Sequence, residues 1–160
     1  MFTIIPTDNR RERATVWSKH HSMSFEGVRP EQVWKVWSDV NGWAEWQADI
    51  EYARLDGAFE AGRTFKFRPK GGPELDIELT EATPHKSYAD LTRFPLARML
   101  DTHEIVDHGD RIEIRNTLTV SGPLGFLWRK LVAEGVAASI EGQTRNMIER
   151  ARMVEQVHHA

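Results

Sequence analysis

The sequence contains no cysteine, and its 160 residues include no long hydrophobic run. The absence of cysteine excludes disulfide bonds, thiolate nucleophiles and cysteine-ligated metals. No stretch approaches the roughly 18 apolar residues that a membrane-spanning helix needs, and the short apolar start is not typical of a signal peptide. We therefore expect a cytoplasmic protein without stable membrane insertion.

An excess of basic residues is also missing. The chain has 21 lysines and arginines against 24 aspartates and glutamates, for a formal net charge of -3 at pH 7. The only local basic cluster lies at residues 10–13, and we interpret residues 1–14 as a solvated leader. This pattern argues against a nucleic-acid partner. The remaining length suits one domain with its own core, predicted at residues 15–157.

Up to residue 121 the sequence predicts a strand, two short helices and a meander of strands. A strand over residues 15–25 is followed by a helix that begins at Pro30, where the missing N–H costs nothing. Asn41-Gly42 ends that helix, and Trp43 and Trp46 indicate another helical turn. Residues 50–121 contain short alternating runs between turn residues, which is typical of an antiparallel sheet. The runs are IEYARL, RTFKFRP, ELDIELTEA, KSYADLTRF, ARMLDTHEIVD and RIEIRNTLTV.

After Pro123 the pattern becomes that of one long amphipathic helix, extending to about Val157. Its apolar positions recur mostly at spacings of three and four, and they are Phe126, Ala133, Ala137, Ile140, Thr144, Met147, Ala151 and Val154. Small residues also occur along this helix, at Ala133, Gly135, Ala137, Ala138 and Gly142. They predict either open space beside the helix or close packing of its backbone on the sheet, and the sequence does not decide between the two.

Polar residues interrupt the apolar face of the last predicted hairpin. If Gly109 and Asp110 form its turn, His103 lies opposite Asn116, and Asp101 shares their face. Three interpretations compete: side chains wetted at an open end of the sheet, a patch that orients a ligand, or an acid/base pair formed by Asp101 and His103. A metal site is not expected, because the histidines form no His-x-x-x-His pattern.

The preceding hairpin admits two registers. A two-residue turn at Pro95-Leu96 places Tyr88 opposite His103 and turns Asp90 inward beside Asp101. Two carboxylates in one apolar site would repel, and one would hold its proton. A turn longer by one residue would instead direct Ala89 and Leu91 inward. Both registers stay open at this point.

Three segments resemble the polyketide cyclase/dehydrase-like branch of the START and birch-pollen-allergen superfamily. The segment RPEQVWKVWSDVNGWAEW is similar to that branch's A-P-x-x-V-W-x-x-x-x-D-x-x-x-x-x-x-W signature, with matches at Pro30, Val33, Trp34, Asp39 and Trp46. TEATPHKSYADL resembles a turn of the same branch, and LTVSGPLGFLWRKL resembles its entry into the last helix. The resemblance covers roughly residues 15–155.

This resemblance implies an α+β helix-grip fold. In that fold a curved antiparallel sheet of about seven strands wraps a long C-terminal helix and leaves a cavity between them, with two short helices after the first strand. The family includes lipid carriers, plant hormone receptors, aromatic polyketide cyclases and coenzyme Q-binding proteins, and it has no shared catalytic residues to transfer.

We therefore expect the protein to bind or transport a small hydrophobic or aromatic ligand in an internal cavity. The alternative is a cyclase/dehydrase-type enzyme in which Asp101 and His103 transfer protons and Tyr88 or Asn116 orients a carbonyl. No cofactor or metal is expected, and a protein partner stays open. The candidate ligand-binding residues are Asn116, Tyr88, Phe65, Phe67, Met99, Ile114 and Trp46.

Overall fold

Seven antiparallel strands form one curved sheet in the computed structural model, which describes residues 16–154. The predicted leader at 1–14 and the outermost residues of the predicted domain, 15 and 155–157, lie outside the described residues. In space the order is β1-β7-β6-β5-β4-β3-β2, so the first and second strands form the two edges. The strands are β1 (Trp17–Phe25), β2 (Ile50–Arg54), β3 (Thr64–Pro69), β4 (Leu75–Thr83), β5 (Ser87–Phe94), β6 (Ala97–Asp107) and β7 (Ile112–Ser121).

The alternation of side chains explains why one face of the sheet is buried. Along β7 every second residue from Ile112 to Val120 is buried and the residues between them are half-buried. Register shifts interrupt the pairing in β4, between Leu79 and Glu81, and in β2, between Ile50 and Tyr52. Such bulges bend a strand and increase its twist, which gives the sheet its curvature.

Two short helices connect β1 to β2 and close one end of the concave face. Helix α1 (Pro30–Ser38) begins with proline, as predicted, and buries Val33, Val36 and Trp37. A 3-10 helix (Val40–Glu45) follows directly and buries Trp43, whose indole N–H donates to the carbonyl of Trp37. This corner is therefore packed rather than open.

The long C-terminal helix, α2, lies along the concave face over 30 residues, 125–154. It starts as an α-helix (Gly125–Trp128), widens to a π-helix (Arg129–Ala133) and continues as an α-helix (Glu134–Val154). Together the sheet and helices form the α+β helix-grip arrangement that the sequence predicts. Among the described residues, no helix combines the length and the hydrophobicity that crossing a bilayer requires.

The π-helix corrects the predicted inward face of α2. Phe126 was expected to face the sheet, yet it is 65% exposed. Because a π turn holds about one residue more than an α turn, residues before it are rotated out of phase with those after it. Trp128 and Val132 pack against the core in place of Phe126. Ala138 and Gly142 are also exposed, so they do not create space on the inner side of the helix.

Two apolar clusters stand at the ends of the space between sheet and helix. The larger one joins α1 and the 3-10 helix to the sheet, and includes Trp37, Trp43 and Phe65. The smaller one lies near the start of α2 and is built on Met99, Leu118, Val120 and Ala133. The space bordered by both clusters holds the candidate site.

Candidate functional site

A cavity of about 330 Å³, partly open to solvent, lies between the sheet and α2. Strands β3 to β6 supply most of its walls, and α2 covers it with a row that contains Gly135, Ser139 and Gln143. Gly135 lies at the rim of this cavity, because it is exposed and a Cβ atom placed on it would have no heavy atom within 4 Å. The aromatic lining residues are Trp43, Phe65, Phe67, Tyr88 and Phe94.

A second cavity of about 50 Å³ adjoins the first, toward the middle of α2. It lies between the sheet residues Ile114 and Asn116 and the helix residues Ile140, Thr144 and Met147. The two cavities share the lining residues Gln47, Tyr88, Asp101, His103 and Gln143. The polar side chains singled out in the sequence therefore stand where the two compartments meet.

The pairing of β5 with β6 brings four side chains together: Tyr88, Asp90, Asp101 and His103. The turn between the strands consists of Pro95 and Leu96, since Phe94 pairs with Ala97. This two-residue turn sets Tyr88 opposite His103 and Asp90 opposite Asp101. Of the two registers that the sequence allows, the structure has the one that turns Asp90 inward.

Asn116 links the polar group to β7, where it pairs with His103 as predicted. Its side-chain Nδ2 donates to Asp101 Oδ1 at 2.7 Å and lies 3.0 Å from His103 Nδ1. Its Oδ1 has no hydrogen-bond partner in the described part of the chain, although Asn116 is only 4% exposed. Both amino protons of Asn116 are thus engaged, and its oxygen is left as an unused acceptor.

His103 lies between aromatic rings and two carboxylates. Its ring stacks on Tyr88 with centroids 4.2 Å apart, and Trp37 contacts it edge-on. The His103 Nε2 atom is 3.4 Å from Asp101 Oδ1 and 3.8 Å from Asp90 Oδ2. Because Nδ1 accepts from Asn116, the proton of the neutral imidazole belongs on Nε2, facing the carboxylates.

Two influences act in opposite directions on the charge of this histidine. Burial lowers the pKa of His103, but the carboxylates of Asp101 and Asp90 outweigh burial and raise it. The Asn116 amide opposes that rise, since an imidazolium would place a second N–H against the Asn116 amino group. The neutral imidazole is the form that satisfies the hydrogen bonds seen here.

Burial changes the acidity of Asp90 and Tyr88 more simply. The pKa of Asp90 rises from 3.8 to about 7, chiefly through burial and then through repulsion from Asp101, and His103 partly offsets both. The pKa of Tyr88 also rises well above its ordinary value, first through burial and then through Asp90 and Asp101. Near neutral pH the site therefore contains a carboxyl group that can hold or release a proton.

The side chains of Asp90, Asp101 and His103 are only 14%, 15% and 18% exposed. This burial is inconsistent with the interpretation that they are wetted at an open sheet end. One ligand atom from each of the three lies within 4.8 Å of the others, a spacing at which they could hold a metal ion. The set is assembled across two strands, so it carries none of the helical or cysteine spacings by which sequence patterns reveal metals.

All nine predicted site residues line one or both cavities. Asp101, His103 and Tyr88 line both, Phe65, Phe67 and Met99 line the larger one, and Trp46, Ile114 and Asn116 line the smaller one. Their roles stay predictions. The sequence analysis did not select Gln47, Gln143 or Asp49, which also line the larger cavity. Gln143 directly precedes Thr144, which belongs to the predicted apolar face of α2. This position beside the apolar face was the sequence feature that could have identified Gln143.

Comparison with known families gives a match over most of the chain. The family described as "Polyketide cyclase / dehydrase and lipid transport" matches residues 20–152. No curated protein is detectably similar in sequence.

Solved structures share this architecture at low sequence identity. One domain of the di-domain ARO/CYC StfQ, from the steffimycin biosynthetic pathway, superposes with a TM-score of 0.74 at 12% identity, covering 92% of this chain and 54% of that one. The protein TTHA0849 from Thermus thermophilus gives 0.66 at 17% identity, covering 86% and 99%. A truncated norcoclaurine synthase from Thalictrum flavum gives 0.63 at 14% identity, covering 87% and 92%. At these identities the likeness concerns the fold.

Proposed function

The chain belongs to the polyketide cyclase / dehydrase and lipid transport family, and on that premise we propose that it binds a small hydrophobic or aromatic ligand in the larger cavity. The observation that carries the proposal is the space of about 330 Å³ left between sheet and helix, with five aromatic side chains on its walls. Small-molecule sites typically have about 300–1,000 Å³, apolar walls and a few placed polar groups. This cavity has that composition.

The polar group formed by Asp90, Asp101, His103 and Asn116 would orient the ligand. Asp101, His103 and Asn116 are held by one another and by the stacked ring of Tyr88, so these three are fixed before a ligand arrives. A ligand with an apolar body and one polar end would fill the aromatic part of the cavity and place its polar end at His103. Preorganised polar groups reduce the entropy lost on binding.

Native mass spectrometry of protein purified from its host tests this proposal. A co-purifying small molecule is expected, and it should be absent from a Gly135→Phe variant. Gly135, Ser139 and Gln143 follow one another at intervals of four along α2, so a side chain at 135 would extend beside the same cavity. Circular dichroism must show that the variant is folded. Equal retention of the molecule by both proteins would contradict binding in this cavity.

A specific observation favours a second candidate, a proton-transfer enzyme of the cyclase type. The site places a proton acceptor, Asp101, 3.4 Å from a proton donor, His103 Nε2. In an aldol-type ring closure, Asp101 would remove a proton from a carbon between two carbonyls. That carbon would then bond to a second carbonyl carbon, His103 would give its Nε2 proton to the oxygen formed there, and the proton taken by Asp101 would pass to His103 Nε2. Tyr88 would orient a carbonyl, because the Asn116 amino group is already engaged.

Two variants separate these functions. If the protein only binds, His103→Ala and Asp101→Asn will change the affinity for the co-purifying molecule and nothing else. If it is an enzyme, both variants will lose ring closure of a poly-β-carbonyl ester while they retain affinity for it. Absence of turnover by the wild-type protein on such esters would argue against the second candidate.

A further inference from the structure

The larger cavity has an excess of negative groups. Its lining includes the carboxyl groups of Asp49, Asp90 and Asp101, and among the described residues that line it there is no lysine or arginine. His103 is the one basic side chain among them. A ligand with a carboxylate at its polar end would bring a further negative charge toward two largely buried acids. Such repulsion is weakly screened away from bulk water.

Among the described residues, none donates a hydrogen bond to the Asp90 carboxyl group. Its ion-pair partner, His103 Nε2, lies at 3.8 Å, which is longer than a hydrogen bond. The Asp90 side chain is nevertheless only 14% exposed. The oxygen of Asn116, a residue that lines the adjoining smaller cavity, is also unpartnered. Asp90 in the larger cavity can therefore accept from a ligand, with a second free acceptor in the adjoining cavity, and an ammonium group supplies three N–H donors with a positive charge.

The walls next to these acceptors suit an aromatic frame. Tyr88 lies beside Asp90 and Asp101, and Phe65, Phe67 and Phe94 line the same cavity. Aromatic faces attract cations as well as other rings, so they do not penalise a positive head group.

From these three observations we infer that the cavity selects hydrophobic or aromatic molecules whose polar end is a protonated amine, and that it discriminates against carboxylates. This inference rests on the proposed function, since it names the class of ligand for the same cavity. Asp90 and Asp101 together receive the ammonium group, while the aromatic walls hold the frame.

Three probes with one frame test the inference: 2-(2-naphthyl)ethylamine, 2-(2-naphthyl)ethanol and 2-naphthaleneacetate. Titration calorimetry at pH 8, in a buffer with a chelator, is expected to show that the amine binds at least tenfold more tightly than the alcohol. The acetate should bind more weakly than the alcohol. In the Asp90→Asn/Asp101→Asn double variant the advantage of the amine should fall below threefold. In Asp110→Asn, which alters an exposed turn carboxylate, the advantage should be unchanged.

The possible results separate the inference from the proposed function. Binding of the acetate as tight as that of the amine, or an amine advantage that survives in the double variant, overturns the selectivity and leaves the cavity a binding site. If no probe binds and no molecule co-purifies with the protein, both the inference and the proposed function are wrong. Circular dichroism and urea titration of each variant check that it is folded.

Discussion

Replacement of Asp90 by asparagine is expected to stabilise the protein at alkaline pH and to have little effect near pH 4. Asp90 has its pKa raised from 3.8 to about 7 in the folded protein. Well below pH 4 the carboxyl is protonated in the folded and unfolded states, so asparagine is a fair replacement. As the pH rises from 4 to 7, the unfolded state loses the proton while the folded state retains it. The wild-type protein therefore loses stability over this interval.

The size of the effect follows from the two pKa values. Each pH unit between them is worth about 1.4 kcal/mol, so the free energy of unfolding of Asp90→Asn should exceed that of wild type by up to about 4 kcal/mol at pH 8. Above pH 7 the difference should stay constant, because both states are then ionised.

Urea unfolding at pH values from 4 to 8.5 measures this difference. His103 acts in the same direction, since its raised pKa gives stability that is present at low pH and lost as the pH rises. The comparison should therefore be repeated in a His103→Gln background, which removes the titration of His103; the Asp90 pKa should then rise further, because His103 lowers it. Asp110→Asn serves as a matched control, because its exposed carboxylate should change stability by less than about 0.5 kcal/mol. A difference between wild type and Asp90→Asn that does not vary with pH would refute the reasoning.

Three further outcomes concern the turns and the polar group. Gly122→Ala should destabilise the protein by at least about 2 kcal/mol in urea unfolding, because Gly122 has φ of 112° and a Cβ there would lie 2.6 Å from the carbonyl oxygen of Leu96. Leu96→Gly should instead be neutral or stabilising by up to about 1 kcal/mol, because Leu96 has φ of 55°, which glycine adopts more easily, and is 65% exposed. A loss of stability would show that the Leu96 side chain packs against the protein in solution. Treatment with a chelator is expected to leave the melting temperature of the protein unchanged, because protons on Asp90 and His103 Nε2 compete with a metal ion. A lowered melting temperature would indicate that Asp90, Asp101 and His103 hold a metal.

Most of the sheet can be predicted from the sequence because the turns between its strands contain residues that are typical of turns. Gly109 and Asp110 identify the β6–β7 turn, and the pairing of His103 with Asn116 follows from it by alternation, as the structure confirms. The β5–β6 turn is less marked, since Leu96 adopts a backbone conformation that glycine or asparagine usually takes. Two registers therefore stayed open there, and the inward direction of Asp90 depended on the choice.

The sequence predicts the extent of α2, but not which side of its first turns faces the sheet. Nothing in the residues from Arg129 to Ala133 indicates a π turn, and a regular α-helix would have buried Phe126. The properties of the polar group likewise depend on the three-dimensional structure, because the pKa of Asp90 depends on its burial and on Asp101 from the neighbouring strand. Sequence patterns give neither the depth of burial nor the distance between side chains on different strands.

The tight connection at Pro95-Leu96 makes the interior chemistry depend on the strand pairing set at one point on the surface. Facing residues alternate along β5, so a slip of the β5–β6 pairing by one residue would bring Ala89 and Leu91 inward in place of Tyr88 and Asp90. The acidic part of the cavity would become apolar although no residue within it had been exchanged. Changes at this exposed hairpin tip that move the pairing thus offer evolution a short route to a new ligand preference.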